Sequence, residues 1–179
     1  MKIDGKPHRT IWRDADGAVR IIDQTRLPHR FETVELADLG DAAHAIAAML
    51  VRGAPLIGAT AAYGMALAMR DDASDSALKA AHETLLATRP TAVNLRWALD
   101  DMTARLSVLA PPERAGAAFA RAAQVCDEDV AINGAIGDHG LALLRAVHQR
   151  KGGTVNVLTH CNAGWLATVD IGTATAPIY

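Results

Sequence analysis

A cysteine stands between a histidine and an asparagine in His160-Cys161-Asn162-Ala163-Gly164, directly after the apolar run Thr154-Val155-Asn156-Val157-Leu158. A thiol whose pKa is lowered by cations or a helix N-terminus works as a nucleophile or an acid. Two further stretches put an arginine and a proline just ahead of a helical pattern. They are Arg52-Gly53-Ala54-Pro55 and Arg89-Pro90-Thr91-Ala92-Val93-Asn94. A helix start offers free N–H groups and a partial positive charge. Gly53 permits close backbone approach to a ligand, and the guanidinium fork matches phosphate geometry. Such a start is an anion site, and Asn94 is placed to orient a sugar hydroxyl. Each stretch alone also reads as an ordinary helix start with a surface arginine, and Cys161 alone as an inert buried cysteine. Arg96 reads as a surface residue.

Weaker candidates lie in the helical region. Cys126 reads as a small core residue. Asp129 and Asn133 stand one helical turn apart and are placed to line a cleft, with His139 as a candidate third member. Asp127-Glu128 reads as a solvated face.

These residues need elements to hold them. Ile11-Trp12 and Val19 to Ile22 flank Asp14-Ala15-Asp16-Gly17, which predicts a hairpin over 10–24 because glycine takes φ > 0 freely. Residues 38–150 read as helices. Asp41 is the expected cap of the first, and Pro55 opens the second, which runs to Met69. Ser74 or Ser76 caps a third that ends near Thr88. Pro90-Thr91 opens a fourth through Leu106. Pro111-Pro112 starts a last stretch to Arg150, in which Asn133-Gly134, Gly137 and Gly140 mark either a break or a close contact. The run 154–158 reads as a buried strand with Cys161 just past its C-terminal end, where ligands of α/β sheets bind. Neighbouring side chains on a strand point oppositely, which argues against a direct His160–Cys161 dyad. One strand cannot form a sheet. The expectation is a mixed α and β chain in two parts. Residues 1–150 hold the hairpin and a mostly helical domain, and 153–179 begin an incomplete Rossmann-like α/β domain.

Composition narrows the function. The chain has 179 residues, 50% hydrophobic, with net charge −2. It carries no global basic field for nucleic acid, so the expected partner is a small molecule. The two cysteines, Cys126 and Cys161, show no metal-ligand spacing. No metal or organic cofactor is expected. The polar start Met1 to Thr10 lacks a signal-peptide core, and no apolar run is long enough for a membrane span. The expected location is cytoplasmic.

Taken together and in order, "VRGAPLIGATAAYG" (51–64), "RPTAVNLRWA" (89–98), "INGAIGDHG" (132–140), "LTHCNAGWLAT" (158–168) and "GTATAPI" (172–178) resemble the S-methyl-5-thioribose-1-phosphate isomerases of methionine salvage. That family shares ancestry with the alpha, beta and delta regulatory subunits of the initiation-factor guanine-nucleotide exchange complex and with ribose-1,5-bisphosphate isomerase. The resemblance implies that Arg52, Gly53 and Ala54 form the substrate-binding loop. It implies that Arg89 is the second substrate-binding arginine and that Cys161 is the catalytic cysteine. It further implies aldose–ketose isomerisation of a phosphosugar by a homodimer. The family's general-acid aspartate lies downstream of the cysteine motif and beyond residue 179, and Asp170 does not match it. The chain is therefore expected to be an N-terminal part, inactive alone. A non-catalytic regulatory or phosphosugar-binding protein and a ribose-1,5-bisphosphate isomerase are the alternatives.

Overall fold

A computed structural model describes residues 1–179. Two short strands, β1 (Lys2–Ile3) and β2 (Lys6–Pro7), pair antiparallel at the N-terminus. The expected hairpin forms next, from β3 (Ile11–Arg13) and β4 (Val19–Ile22). Gly17 sits at φ 91 in its turn. A strand the sequence did not announce, β5 (Thr33–Leu36), adds to the far edge of β4. One face of this small sheet, with Ile11, Val19, Ile21 and Leu36, turns into the helical core.

Five helices follow. α1 (Leu39–Ala47) is capped by Asp38, whose carboxylate accepts from Asp41 N–H. The expected cap Asp41 lies one turn inside and accepts from Ala37 N–H instead. α2 (Ala54–Asp71) carries Pro55 in its first turn as expected. Ser74 caps α3 (Asp75–Thr88). α4 (Val93–Leu106) starts later than Pro90, with Ala92 at its N-cap. α5 (Pro111–Lys151) is one unbroken helix of 41 residues, ended by Gly152 at φ 70.

α2 is the centre. All 14 residues from Leu56 to Met69 are buried, as befits a helix apolar on every face. Its alanines and glycines let the neighbours approach closely. A Cβ on Gly64 would lie 2.9 Å from the Ala42 Cβ of α1 and 3.1 Å from Leu85 of α3. The buried residues of α5 all fall between Arg114 and Asn133. Beyond Asn133 only the C-terminal segment covers it, and Gly137 and Gly140 are where Ala176 and Pro177 pack. These glycines are contact points and not breaks.

α4 and α5 are tied by charge. Arg121, almost buried, donates Nε to Asp101 Oδ2 at 2.6 Å and Nη1 to Glu128 Oε1 at 2.6 Å. Burial opposes the charge on Asp101, but the bonds from Arg121 and Arg105 outweigh it and hold the carboxyl below its usual range. A depressed carboxylate contributes stability above its unfolded pKa and loses it as pH falls through the folded one. Asp101→Asn is therefore expected to cost about 2–3 kcal/mol at neutral pH. Urea titrations at several pH values check this, because the gap to the parent should shrink as pH falls below 3.8.

The expected strand over 154–158 is not formed. The segment is irregular, and Val157 (48%) and Leu158 (97%) are exposed. A strand needs a ladder partner, and no strand of either sheet pairs with it. Two single 3-10 turns, Trp165–Ala167 and Ala176–Ile178, close the chain. No helix is long and apolar enough to cross a membrane.

Candidate functional site

The helix starts differ in how they are finished. α1 and α3 have side-chain caps and an acidic first turn. α2 and α4 have neither. Their first N–H groups are left for another acceptor. Arg52 immediately precedes Gly53, the N-cap of α2, and is exposed. Arg89 is the C-cap of α3, four residues before Val93. Eight arginines pair with carboxylates, as Arg70 does with Asp71 and Arg114 with Asp75. Arg52, Arg89 and Arg96 form no ion pair.

The two starts adjoin. A Cβ on Gly58, in the second turn of α2, would lie 3.0 Å from the Asn94 carbonyl oxygen in the first turn of α4. Pro55 and Gly58 of α2, Val93, Asn94 and Trp97 of α4, and Asp129 of α5 line one cleft of about 420 Å³. The structure thus brings together the Arg52 and Arg89 stretches, Asn94 and Asp129.

The segment after Cys161 is strapped to this site. Gly53, at φ 97, has Ala167 so close that a Cβ would lie 2.4 Å from its Cα and its carbonyl oxygen. Val169 is fully buried. Its carbonyl accepts from Thr10 N–H at 2.9 Å, and its N–H donates to Asp129 Oδ2 at 2.8 Å. Gln24 Nε2 donates to the Leu166 carbonyl at 2.6 Å. Asn133 Nδ2 donates to Asp129 Oδ1 at 3.0 Å and steadies the carboxyl. Burial pushes the Asp129 carboxyl above its ordinary range, against the bonds from Val169 and Asn133 that lower it. The pairing of Asp129 with Asn133 was legible from their spacing, but the bond to Val169 was not. His139 does not join them, being exposed. Asp170 meets the N-terminal amine.

Cys161 itself is exposed, at φ 71, and does not stand at a strand end. No hydrogen bond links it to His160, Arg52 or Arg89. Cys126 is buried as expected, and burial pushes its thiol up to about 12. A thiol-specific reagent should therefore titrate one thiol in the folded chain and two in denaturant. Two fast native thiols would contradict this placement.

Residues 50–176 match the Initiation factor 2 subunit family. The chain belongs to this family. A methylthioribose-1-phosphate isomerase of Paramagnetospirillum magneticum is 65% identical over all of this chain and 50% of its own length. Among solved structures, the 5-methylthioribose 1-phosphate isomerase of Pyrococcus horikoshii superposes with TM-score 0.81 at 36% identity, over 96% of this chain and 48% of its own. Subunit delta of the translation initiation factor eIF-2B from A. fulgidus superposes with TM-score 0.80 at 38% identity, over 96% of this chain and 50% of its own. The mixed α and β fold with an N-terminal hairpin is thus the fold of the initiation factor 2 subunit family. The chain spans about half the length of the curated isomerases it matches.

Proposed function

We propose that this chain is the N-terminal, substrate-binding half of an aldose–ketose isomerase that converts S-methyl-5-thioribose 1-phosphate to S-methyl-5-thioribulose 1-phosphate. The observation that carries the reading is the pair of uncapped helix starts, each led by an arginine without a partner, that meet at one cleft. A phosphate fits such a place. Isomerase relatives at 58–65% identity support the choice of reaction. The likeness to an initiation-factor subunit favours a non-catalytic regulatory or phosphosugar-binding protein as the second reading.

The substrate's anomeric oxygen carries phosphate, so its ring cannot open as a free sugar's does. The enzyme opens the ring with an acid near the ring oxygen, keeps the phosphate, and moves a hydrogen from C2 to C1. Arg52, the backbone of Gly53 and Ala54, and Arg89 hold the phosphosugar. Cys161 acts near C1–C2. The acid is an aspartate of a downstream α/β half, which residues 153–179 begin. That half also supplies the strands that the 154–158 run lacks, and it covers the exposed second half of α5. The complete protein is cytoplasmic and homodimeric in this reading.

The test joins residues 1–179 to the downstream half of the Paramagnetospirillum magneticum relative and assays both forms with S-methyl-5-thioribose 1-phosphate. Turnover by the joined chain and none by residues 1–179 alone is expected. A joined chain that folds and binds the phosphosugar without turning it over would favour the second reading.

A further inference from the structure

Residues 164–172 fold into a tight knot just after Cys161. Gly172 packs on Gly164 so closely that a Cβ would lie 2.1 Å from the Gly164 Cα. Ala167 N–H donates to the Gly164 carbonyl at 2.9 Å, and Thr168 Oγ1 donates to the Ile171 carbonyl at 2.8 Å. Holding one peptide of the knot therefore holds Gly164, whose distance from Cys161 is at most about 10 Å along the chain. Val169 is the peptide held from both sides. Its carbonyl accepts from Thr10 N–H beside the hairpin, and its N–H donates to Asp129 Oδ2 on α5. Thr10 Oγ1 and Gln24 Nε2 bind two more carbonyls of the knot. Asp129 is the one group of α5 hydrogen-bonded to it.

We infer that Asp129 is a positioning residue for Cys161, setting through the Val169 N–H where the cysteine meets the phosphosugar, an inference that rests on the isomerase reading above. The carboxyl is half-buried and forms no ion pair, and burial works against its charge. An apolar side chain would fill the same space without that cost. Apolar packing has no direction, however, whereas a hydrogen bond fixes a distance and an angle. Asn133 adds to the direction. It is 1% exposed and donates Nδ2 to the Asp129 carbonyl at 2.9 Å and to Asp129 Oδ1 at 3.0 Å. Its own Oδ1 has no partner. The amide is thus turned to engage one carboxyl oxygen and leave the other for Val169. The knot also touches the proposed substrate loop, where Ala167 packs on Gly53. A shift at Val169 is therefore felt between the cysteine and that loop, while the hairpin still holds the knot to the body.

The experiment uses the joined chain with Asp129→Leu and Asp129→Asn. Asp101→Asn, which weakens the tie between α4 and α5 away from the knot, is the control. kcat and KM for S-methyl-5-thioribose 1-phosphate are measured beside urea unfolding. Asp129→Leu removes the acceptor, and its kcat is expected to fall about 100-fold, the effect of a misplacement of about 1 Å. KM should stay within about threefold, because Arg52, Gly53, Ala54 and Arg89 still hold the phosphosugar. Asp129→Asn keeps an oxygen for the Val169 N–H and should bring kcat back to within about tenfold of the parent. The control should lose stability with kcat unchanged. An unchanged kcat in Asp129→Leu overturns the assignment. So does a loss as large in Asp129→Asn, which would make the charge and not the bond the working property. A control whose kcat falls with its stability also overturns it, since any loosening of α5 would then suffice. If Asp129→Leu does not fold, Asn133→Ala decides. It frees the carboxyl to turn, so kcat about tenfold down at parental KM is expected, and parental kcat overturns the assignment. A joined parent that leaves the substrate unturned fails at the isomerase reading, before any variant is compared.

Discussion

Replacing Arg52 or Arg89 with alanine is expected to lower kcat/KM of the joined isomerase about 100-fold or more while leaving its unfolding midpoint in place. The two halves of this expectation have one cause. Neither guanidinium forms an ion pair within the fold, whereas Arg114, Arg121 and Arg70 all do. A side chain with no partner in the fold has little to contribute to stability, and its removal should stay within about 0.5 kcal/mol. The same side chain facing a bound phosphate makes forked, charge-assisted bonds, and losing them costs about 2–5 kcal/mol. Lysine keeps the charge but not the fork, so Arg52→Lys and Arg89→Lys should recover only part of the loss. Steady-state kinetics beside urea unfolding separates the terms. An equal fall in stability and activity would mean that these arginines hold the fold and not the ligand.

Gly53→Ala should damage both the fold and the candidate site through a single added methyl group. Gly53 sits at φ 97, where a side chain is strained, and the added Cβ would lie 2.4 Å from both Ala167 Cα and the Ala167 carbonyl oxygen. Backbone strain and overpacking each cost about 1–3 kcal/mol, so a loss of about 2–6 kcal/mol is expected. Much of it should be avoided by releasing the strap at Ala167. The segment carrying Cys161 would then part from the proposed substrate loop, and turnover of the joined chain would fall further than stability does. Ala167→Gly should not rescue the variant, because the clash is with backbone as well as the Ala167 Cβ. A Gly53→Ala protein with parental midpoint and turnover would show that the strap and the loop do not touch.

The helical body was legible because its punctuation is chemical. Pro55 and Pro111 mark first turns, Ser74 marks a cap, and Gly152 marks an end. The miss at α1 is instructive: Asp38 and Asp41 both suit a cap, and the extended backbone of Asp38 decides which is used. β5 has only four residues and little alternation, too short a pattern to announce itself. The run Val155 to Leu158 has the residue types of a strand and becomes none, because a ladder is a property of two segments and no other segment pairs with it. Gly137 and Gly140 read as either a break or a close contact, and the contact with Ala176 and Pro177 that decides between them leaves no trace in local sequence. The site was readable as three separate stretches. What joins them is tertiary: Gly58 against Asn94, Gly53 against Ala167, and the Asp129 carboxyl on Val169 N–H, 40 residues away.

The most direct test of the isomerase account is Cys161→Ser in the joined chain, with turnover and binding of S-methyl-5-thioribose 1-phosphate measured on the same preparation. Cys161 is exposed and forms no hydrogen bond in the fold, so the change should leave stability alone. The account predicts that turnover is lost while binding, held by Arg52, Gly53, Ala54 and Arg89, persists. Undiminished turnover would contradict it and remove the cysteine from the chemistry.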